Sequence, residues 1–151
     1  MLKIFVALAI AIAVAAPAAA ADKQDVMVVV HQWVASLNDG DSKMLVGTCA
    51  NETSIIDDIP PHEWHGAGAC AKWKNDFDAY LKKNVVTDMA ASVLKPRHVD
   101  VTADRAYVVV PINLAFKQAG KDVKDTGSTF TLALQKGTAG WRITDWAWTA
   151  H

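Results

Sequence analysis

The closing segment Gly140–Thr149 restricts the fold of this chain more than any other, because its large apolar residues change parity halfway along. Side chains alternate on an extended strand with a period of two, so Trp141 and Ile143 fall on one face while Trp146 and Trp148 fall on the other. All four serve one core only if the strand takes in an extra residue, a bulge, near Thr144 and Asp145. Such a bulged, tryptophan-rich closing strand belongs with a strongly curved sheet wrapped around a pocket.

The segments before it supply the partners. Residues 25–38 place Val26, Val29, Val30, Trp33, Val34 and Leu37 on one helical stripe. Asn38-Asp39-Gly40 stops that helix, and Asp41 or Ser42 caps a short second one through Met44, Leu45 and Thr48. Residues 53–57 read as a strand, Pro60-Pro61 as a turn, and residues 62–66 as the returning partner, with Asp57 opposite His62. Residues 67–83 are helical again, with Cys70, Trp73, Phe77 and Tyr80 or Leu81 on the inner face, and Lys72, Lys74, Asp76, Lys82 and Lys83 mostly in solvent. Four β-rich runs follow, 93–101, 106–116, 128–136 and 141–149, with links at 102–105, 120–127 and 137–140. Short polar links between consecutive strands predict an antiparallel meander, and helices followed by a meander predict an α+β domain.

Residues 1–21 stand outside this pattern. Lys3, an apolar stretch over 4–16, Pro17 and a run of alanines have the layout of a secretory signal peptide, with cleavage near Ala20 or Ala21. That stretch falls short of the ~20 apolar residues that span a bilayer, so a membrane anchor is the weaker reading. The expected mature domain is therefore 22–151, periplasmic or secreted, with no membrane association after cleavage. Lys3 is the only charged residue removed, so the net charge of −1 becomes −2. Neither sign is clustered, which argues against a nucleic-acid partner.

Cys49 and Cys70 both lie in the exported part, where an even pair reads first as a disulfide and second as two buried thiols. Opposing residues in the 53–66 hairpin, extended outward in the same register, bring the two cysteines to its open end, each just outside the strands. Proximity favours the bridge.

Taken together, several short stretches are similar to a known superfamily. They are Asn38-Asp39-Gly40-Asp41 between the first helices, Ser54-Ile55-Ile56-Asp57-Asp58 before the prolines, and Trp64-His65-Gly66 before the third helix. To these add Ala106-Tyr107-Val108-Val109-Val110-Pro111, Thr126-Gly127-Ser128-Thr129-Phe130 and Gly140-Trp141-Arg142-Ile143. In order and spacing the chain resembles the nuclear-transport-factor-2-like superfamily, and within it the SnoaL-like and ketosteroid-isomerase-like proteins. The resemblance implies a cone-shaped half barrel, with three N-terminal helices packed on a curved, mostly antiparallel sheet and a pocket at the cone's mouth. For many relatives it also implies a homodimer through the outer sheet face.

This scaffold hosts many activities, so function is argued residue by residue. By resemblance to the isomerases, Asp58 takes the position of the catalytic base. Trp33 stands where they carry a tyrosine donor, and Thr131, or Thr129, where they carry a second acid. Losing one oxyanion donor typically costs ~10²–10³-fold in rate, which disfavours a steroid-type isomerase. A second constellation pairs Asp57 or Asp58 with His62, His65 or His98 for proton transfer on a small carbonyl compound. Against it stands an ordinary turn, since Asp57-Asp58 before Ile59-Pro60-Pro61 suits local hydrogen bonding to the backbone.

His62 and His65 form no three- or four-ligand motif, so no metal is expected, and no cofactor motif is present. On the inner faces, Trp33, Trp73, Trp141 and Trp146 are claimed by the core, whereas Trp64 and Trp148 are better placed for a ligand. Along the 107–116 run, Val108, Val110, Ile112, Leu114 and Phe116 should face the helices, and Tyr107 and Asn113 should face outward unless Pro111 shifts the register. The candidate catalytic residues are thus Asp58, Asp57 and His62, and the candidate ligand contacts Trp33, Trp64, His65, His98, Thr131, Asp145 and Trp148. The leading expectation is an exported domain that binds a small apolar, aromatic or carbonyl ligand without chemistry. A proton-transfer enzyme of isomerase or dehydratase type and a dimerising structural module are the alternatives.

Overall fold

Alanine has the highest helix propensity of any residue, and the first helix starts earlier than the apolar stripe alone requires. The computed structural model describes residues 16–151, so most of the signal-like segment lies outside the described residues. Helix α1 (Ala16–Asp39) takes in the alanine run and buries Val26, Val30, Trp33 and Val34, with Val29 at the margin and Leu37 half-buried. Gly40, at φ +68°, breaks it. The Asp41 carboxylate then accepts the Met44 N–H at 2.9 Å to cap α2 (Ser42–Gly47).

Strands β1 (Cys49–Ile56) and β2 (Glu63–Ala67) pair antiparallel in the expected register, with Ile55 opposite Trp64 and Ile56 opposite Glu63. Helix α3 (Ala69–Lys83) follows, then β3 (Val86–Val93), β4 (His98–Thr102), β5 (Arg105–Gln118), β6 (Lys121–Gly137) and β7 (Gly140–Thr149). The strand order is β2-β1-β7-β6-β5-β3, with β4 also on β5. β1 runs parallel to β7 and all other pairs are antiparallel. The three helices pack on this curved, open sheet.

The structure departs from the sequence reading at several points. Residues 86–93 form β3, although Thr87 and Asp88 interrupt any apolar alternation. The Asn38 side chain fastens this strand to α1 like an extra rung, donating to the Ala91 carbonyl at 2.9 Å and accepting the Ala91 N–H at 2.7 Å. Of the expected link 120–127 only Gly120 lies in a turn, because β5 and β6 pair without a break from Gln118 opposite Lys121 to Asn113 opposite Thr126. Backbone pairing extends the hairpin where side-chain polarity hides it. Lys74, expected in solvent, is 4% exposed. Its stem lies against the core while its ammonium reaches Asp78 one turn on at 2.6 Å.

Cys49 and Cys70 form a disulfide with a Cα separation of 6.5 Å, inside the usual range for the bond. Cys49 is the first residue of β1 rather than outside it, and Cys70 lies in the first turn of α3. The bridge thus fastens the sheet to the helix that covers it. On the chain-entropy description, closing the intervening loop stabilises the fold by about 3 kcal/mol. Urea unfolding of the Cys49→Ala/Cys70→Ala variant should show a loss of that order, with a dependence on urea concentration as steep as that of the wild type or steeper, because the unbridged unfolded chain is less compact.

Candidate ligand pocket

The change of parity in β7 is resolved at one residue. Ala133 pairs with Asp145 and Leu134 with Ile143, which leaves Thr144 as the extra residue. Its hydroxyl donates to the Ala133 carbonyl at 3.3 Å. Trp141, Ile143 and Trp146 are consequently buried together, and Trp148 packs against the same core.

Trp146 joins a layer of rings from four elements. It meets Trp73 of α3 edge to face at 4.8 Å and Trp33 of α1 at 5.6 Å. Phe130 of β6 lies 4.7 Å from Trp33, and Phe77 stacks on Trp73 at 5.0 Å. The indole N–H groups of Trp33 and Trp146 have no partner among the described residues, so the layer packs as hydrocarbon and ring faces.

A cavity of about 250 Å³ adjoins this layer. Helix α1 supplies Trp33 and Leu37, and α3 supplies Trp73, Phe77, Tyr80 and Leu81. From the sheet come Val86 and Met89 of β3, Leu114, Phe116 and Gln118 of β5, Asp125 of β6, and Trp146 and Trp148 of β7. The segment leaving β1 completes it with Asp57, Asp58 and Ile59. The exposed lining residues Asp58, Tyr80 and Gln118 mark where it meets solvent.

The two adjacent aspartates differ sharply. Asp58 is exposed, whereas Asp57 is 6% exposed. Asp57 Oδ2 accepts the Trp73 indole N–H at 2.8 Å, and Oδ1 accepts the Ile59 backbone N–H at 3.2 Å. Burial raises its pKa to about 7, and the neighbouring Asp58 carboxyl adds to the rise by hydrogen bonding and by its charge. The Trp73 and Ile59 N–H groups pull the other way. The buried carboxyl is therefore Asp57, one residue before the position that the resemblance assigns to a base.

A second bulge, at Gly127, brings in a third acid. Ile112 pairs with Ser128 but Asn113 with Thr126, so Gly127 is the extra residue, at φ +96°. Asn113 Oδ1 accepts its N–H at 3.1 Å. Asp125 and Ser128 consequently share the inner side, where the buried Ser128 hydroxyl donates to Asp125 at 2.6 Å. The alternative in which Pro111 shifts the register of β5 does not occur, because the extra residue lies on β6. Val108, Val110 and Ile112 therefore keep the inner face and Tyr107 the outer.

Several expected contacts lie elsewhere. Nδ1 of His62, protonated, donates to the Asp57 backbone carbonyl at 3.2 Å, so it meets the main chain and not the carboxylate. His65 is exposed on β2 beside Glu63 at 3.3 Å. His98 is exposed on β4, 5.8 Å from Tyr107. Trp64 is buried under the hairpin and donates to Asp76 at 2.8 Å. Thr131 stands on the face opposite Phe130 and Leu132, and Asp145 opposite Trp146, because each lies one residue from an inward neighbour. Of the sequence candidates, the cavity brings together Trp33, Trp148, Asp57 and Asp58. Sequence reasoning missed Asp125, Gln118, Tyr80 and Met89; a paired Asn113 and Gly127 was the one available sign of the β6 bulge. Among the described residues no group of three His, Cys, Asp or Glu side chains is arranged to hold a metal ion.

No protein-family model matches the chain, and no curated protein matches it. Solved structures do. A nuclear-transport-factor-2-like protein with a cystatin-like fold from Novosphingobium aromaticivorans superposes with a TM-score of 0.71 at 14% identity, covering 87% of this chain and 82% of that one. A nuclear transport factor 2 superfamily protein from Salmonella enterica gives 0.73 at 14%, covering 87% and 92%. A ketosteroid isomerase-like protein from Erwinia carotovora atroseptica gives 0.67 at 15%, covering 85% and 95%. The chain has the nuclear-transport-factor-2-like fold.

The raised pKa of Asp57 makes stability depend on pH with a definite sign. Between its ordinary value of 3.8 and about 7, the folded state holds a proton that the unfolded state has lost. Stability is then complete at low pH and falls as pH rises through that window, by as much as roughly 4 kcal/mol. In Asp57→Asn the fall is absent while an acceptor for the Trp73 N–H remains. The difference in melting temperature, variant minus wild type, should climb from pH 4 to pH 8 and then level off. A constant difference would contradict the assignment.

Proposed function

We propose that this protein binds a small apolar or aromatic molecule in the cone pocket, with Asp57 as the polar anchor. The observation that carries the reading is a buried carboxyl, poised near neutrality, on the wall of an otherwise apolar cavity that opens to solvent. An apolar pocket with a few convergent polar groups is what small-molecule binding requires. At about 250 Å³ it lies just below the ~300–1,000 Å³ of pockets for drug-sized ligands, so the ligand is smaller than these.

A second reading is proton transfer on a small carbonyl compound. A carboxyl with a pKa of about 7 is suited to general-base work at neutral pH. The Asp–His form of that reading loses its support, since His62 meets only the Asp57 main chain. Asp57 would act alone, and some neighbours of this fold are named ketosteroid isomerase-like.

Export is part of the proposal. The signal-like segment and the Cys49–Cys70 bridge both suit a periplasmic or secreted protein, and no described helix is long and apolar enough to cross a membrane. N-terminal sequencing of protein recovered from the periplasm should begin at Ala21 or Asp22; an intact Met1 would refute processing. The outer sheet face, with Tyr107 48% exposed, is the proposed homodimer surface.

Filling the cavity tests the pocket itself. Leu114→Trp should weaken binding of a neutral aromatic probe such as 4-fluorophenol at least about tenfold in fluorine NMR titrations, as expected when a well-formed pocket is occluded. Tyr107→Trp, on the outer face, should leave it unchanged. Equal affinity of wild type and Leu114→Trp would overturn the reading.

A further inference from the structure

Three carboxyl groups line the cavity, Asp57 and Asp58 from the end of β1 and Asp125 from β6, and among the described residues no lysine, arginine or histidine lines it. The ion pairs of the described residues leave all three without a cationic partner. Asp57 accepts only neutral N–H donors, and Asp125 only a neutral hydroxyl. The remaining lining is aromatic and aliphatic, with Trp73, Phe77 and Tyr80 on one wall and Trp146 and Trp148 on another. The face of an aromatic ring is its negative side and attracts a cation, most strongly for tryptophan. Acid and ring thus impose the same sign of potential on whatever enters.

We infer that the ligand of this pocket is a small organic cation, a quaternary or alkylated ammonium compound whose charge lies between the aromatic rings and the carboxylates. The inference deepens the pocket reading above and depends on it. The choice of an organic cation over a bare metal ion follows from the lining. The carboxylates do not converge into a metal-ligating group, and Leu37, Ile59, Met89 and Leu114 offer nothing to a strongly hydrated ion. An alkylated ammonium sheds little hydration and contacts rings and aliphatic walls with its own methyl groups.

Burial denies Asp57 a counter-charge and so favours its proton; a bound cation would supply that charge and release the proton. Affinity for the cation should therefore rise with pH. The titratable groups around Asp57 are Asp58 on its own segment, Tyr80 on α3, Asp125 on β6, and His62 at its main-chain carbonyl. The Asp57→Asn variant separates the contribution of Asp57 from that of the other groups.

Matched pairs that differ in charge but not in shape test the inference. Calorimetric titration of the exported, disulfide-bonded protein at pH 7.5 would compare 3-hydroxyphenyltrimethylammonium with 3-tert-butylphenol, and choline with 3,3-dimethylbutan-1-ol. Each cation should bind about tenfold or more tightly than its neutral partner, in line with desolvated cation–π and carboxylate contacts. Asp57→Asn should remove most of that preference, read as the ratio of cation to neutral affinity within the variant, and its increase between pH 6 and pH 8. Neutral compounds that bind as well as the cations, or better, would overturn the charge assignment and leave the pocket reading standing. Failure of all four to bind at millimolar concentration would overturn both.

Discussion

The contact of Trp33, Trp73, Phe130 and Trp146 carries more of this structure than any other, because it draws one ring from each of α1, α3, β6 and β7 into a single layer. Truncating a buried aromatic typically costs about 3–5 kcal/mol, a large share of the ~5–15 kcal/mol by which a domain is stable. The layer is simultaneously core and pocket wall, so stability and the shape of the pocket draw on the same side chains. It exists only because Thr144 is looped out of the β6–β7 ladder. Were Thr144 paired in regular alternation instead, Trp146 would point away from the helices, and the layer would lose the ring that meets the other three.

Polar groups are placed against this apolar background at some cost to the fold. Asp57 lies buried at the end of β1, held by the Trp73 indole and the Ile59 amide, and these two bonds only partly offset the loss of water around its charge. The indole N–H groups of Trp33 and Trp146 are buried without partners among the described residues, where an unsatisfied donor costs about 1–3 kcal/mol. A chain optimised for packing alone would replace such groups. Asp57, Trp33 and Trp146 border one cavity, whereas Trp141, whose indole N–H is likewise without a partner among the described residues, does not.

Much of this was legible in the sequence, for identifiable reasons. The α1 stripe, the β1–β2 register and the Thr144 bulge are written in the spacing of large apolar residues, and burial enforces that spacing strictly. The disulfide followed from the same register. What the sequence concealed lies where this signal is weak. In β3, Thr87 and Asp88 break the alternation, and the strand is held by pairing with β5 and by Asn38. In the first half of β6, lysines and aspartates occupy both faces, so neither the strand nor the inward turn of Asp125 could be read from periodicity. Asp57 and Asp58 are neighbours at a point where the chain leaves the sheet, and no period there distinguishes the buried one. The histidines were grouped with the aspartates by nearness in sequence; the hairpin and β4 carry His65 and His98 away from the cavity.

The Gly127 bulge has an implication for how such a pocket changes over generations. The extra residue keeps residues 121–126 in step with β5, with Thr126 on Asn113 and Asp125 on Leu114, so its own loss would leave Asp125 inward. Losing the paired Thr126 instead would shift the strand by one, turn Asp125 outward and present Lys124 in its place, reversing the local charge without replacing any side chain. In this fold a change in chain length is a change in chemistry, and descendants of one gene could diverge in ligand through a three-nucleotide deletion as readily as through substitution.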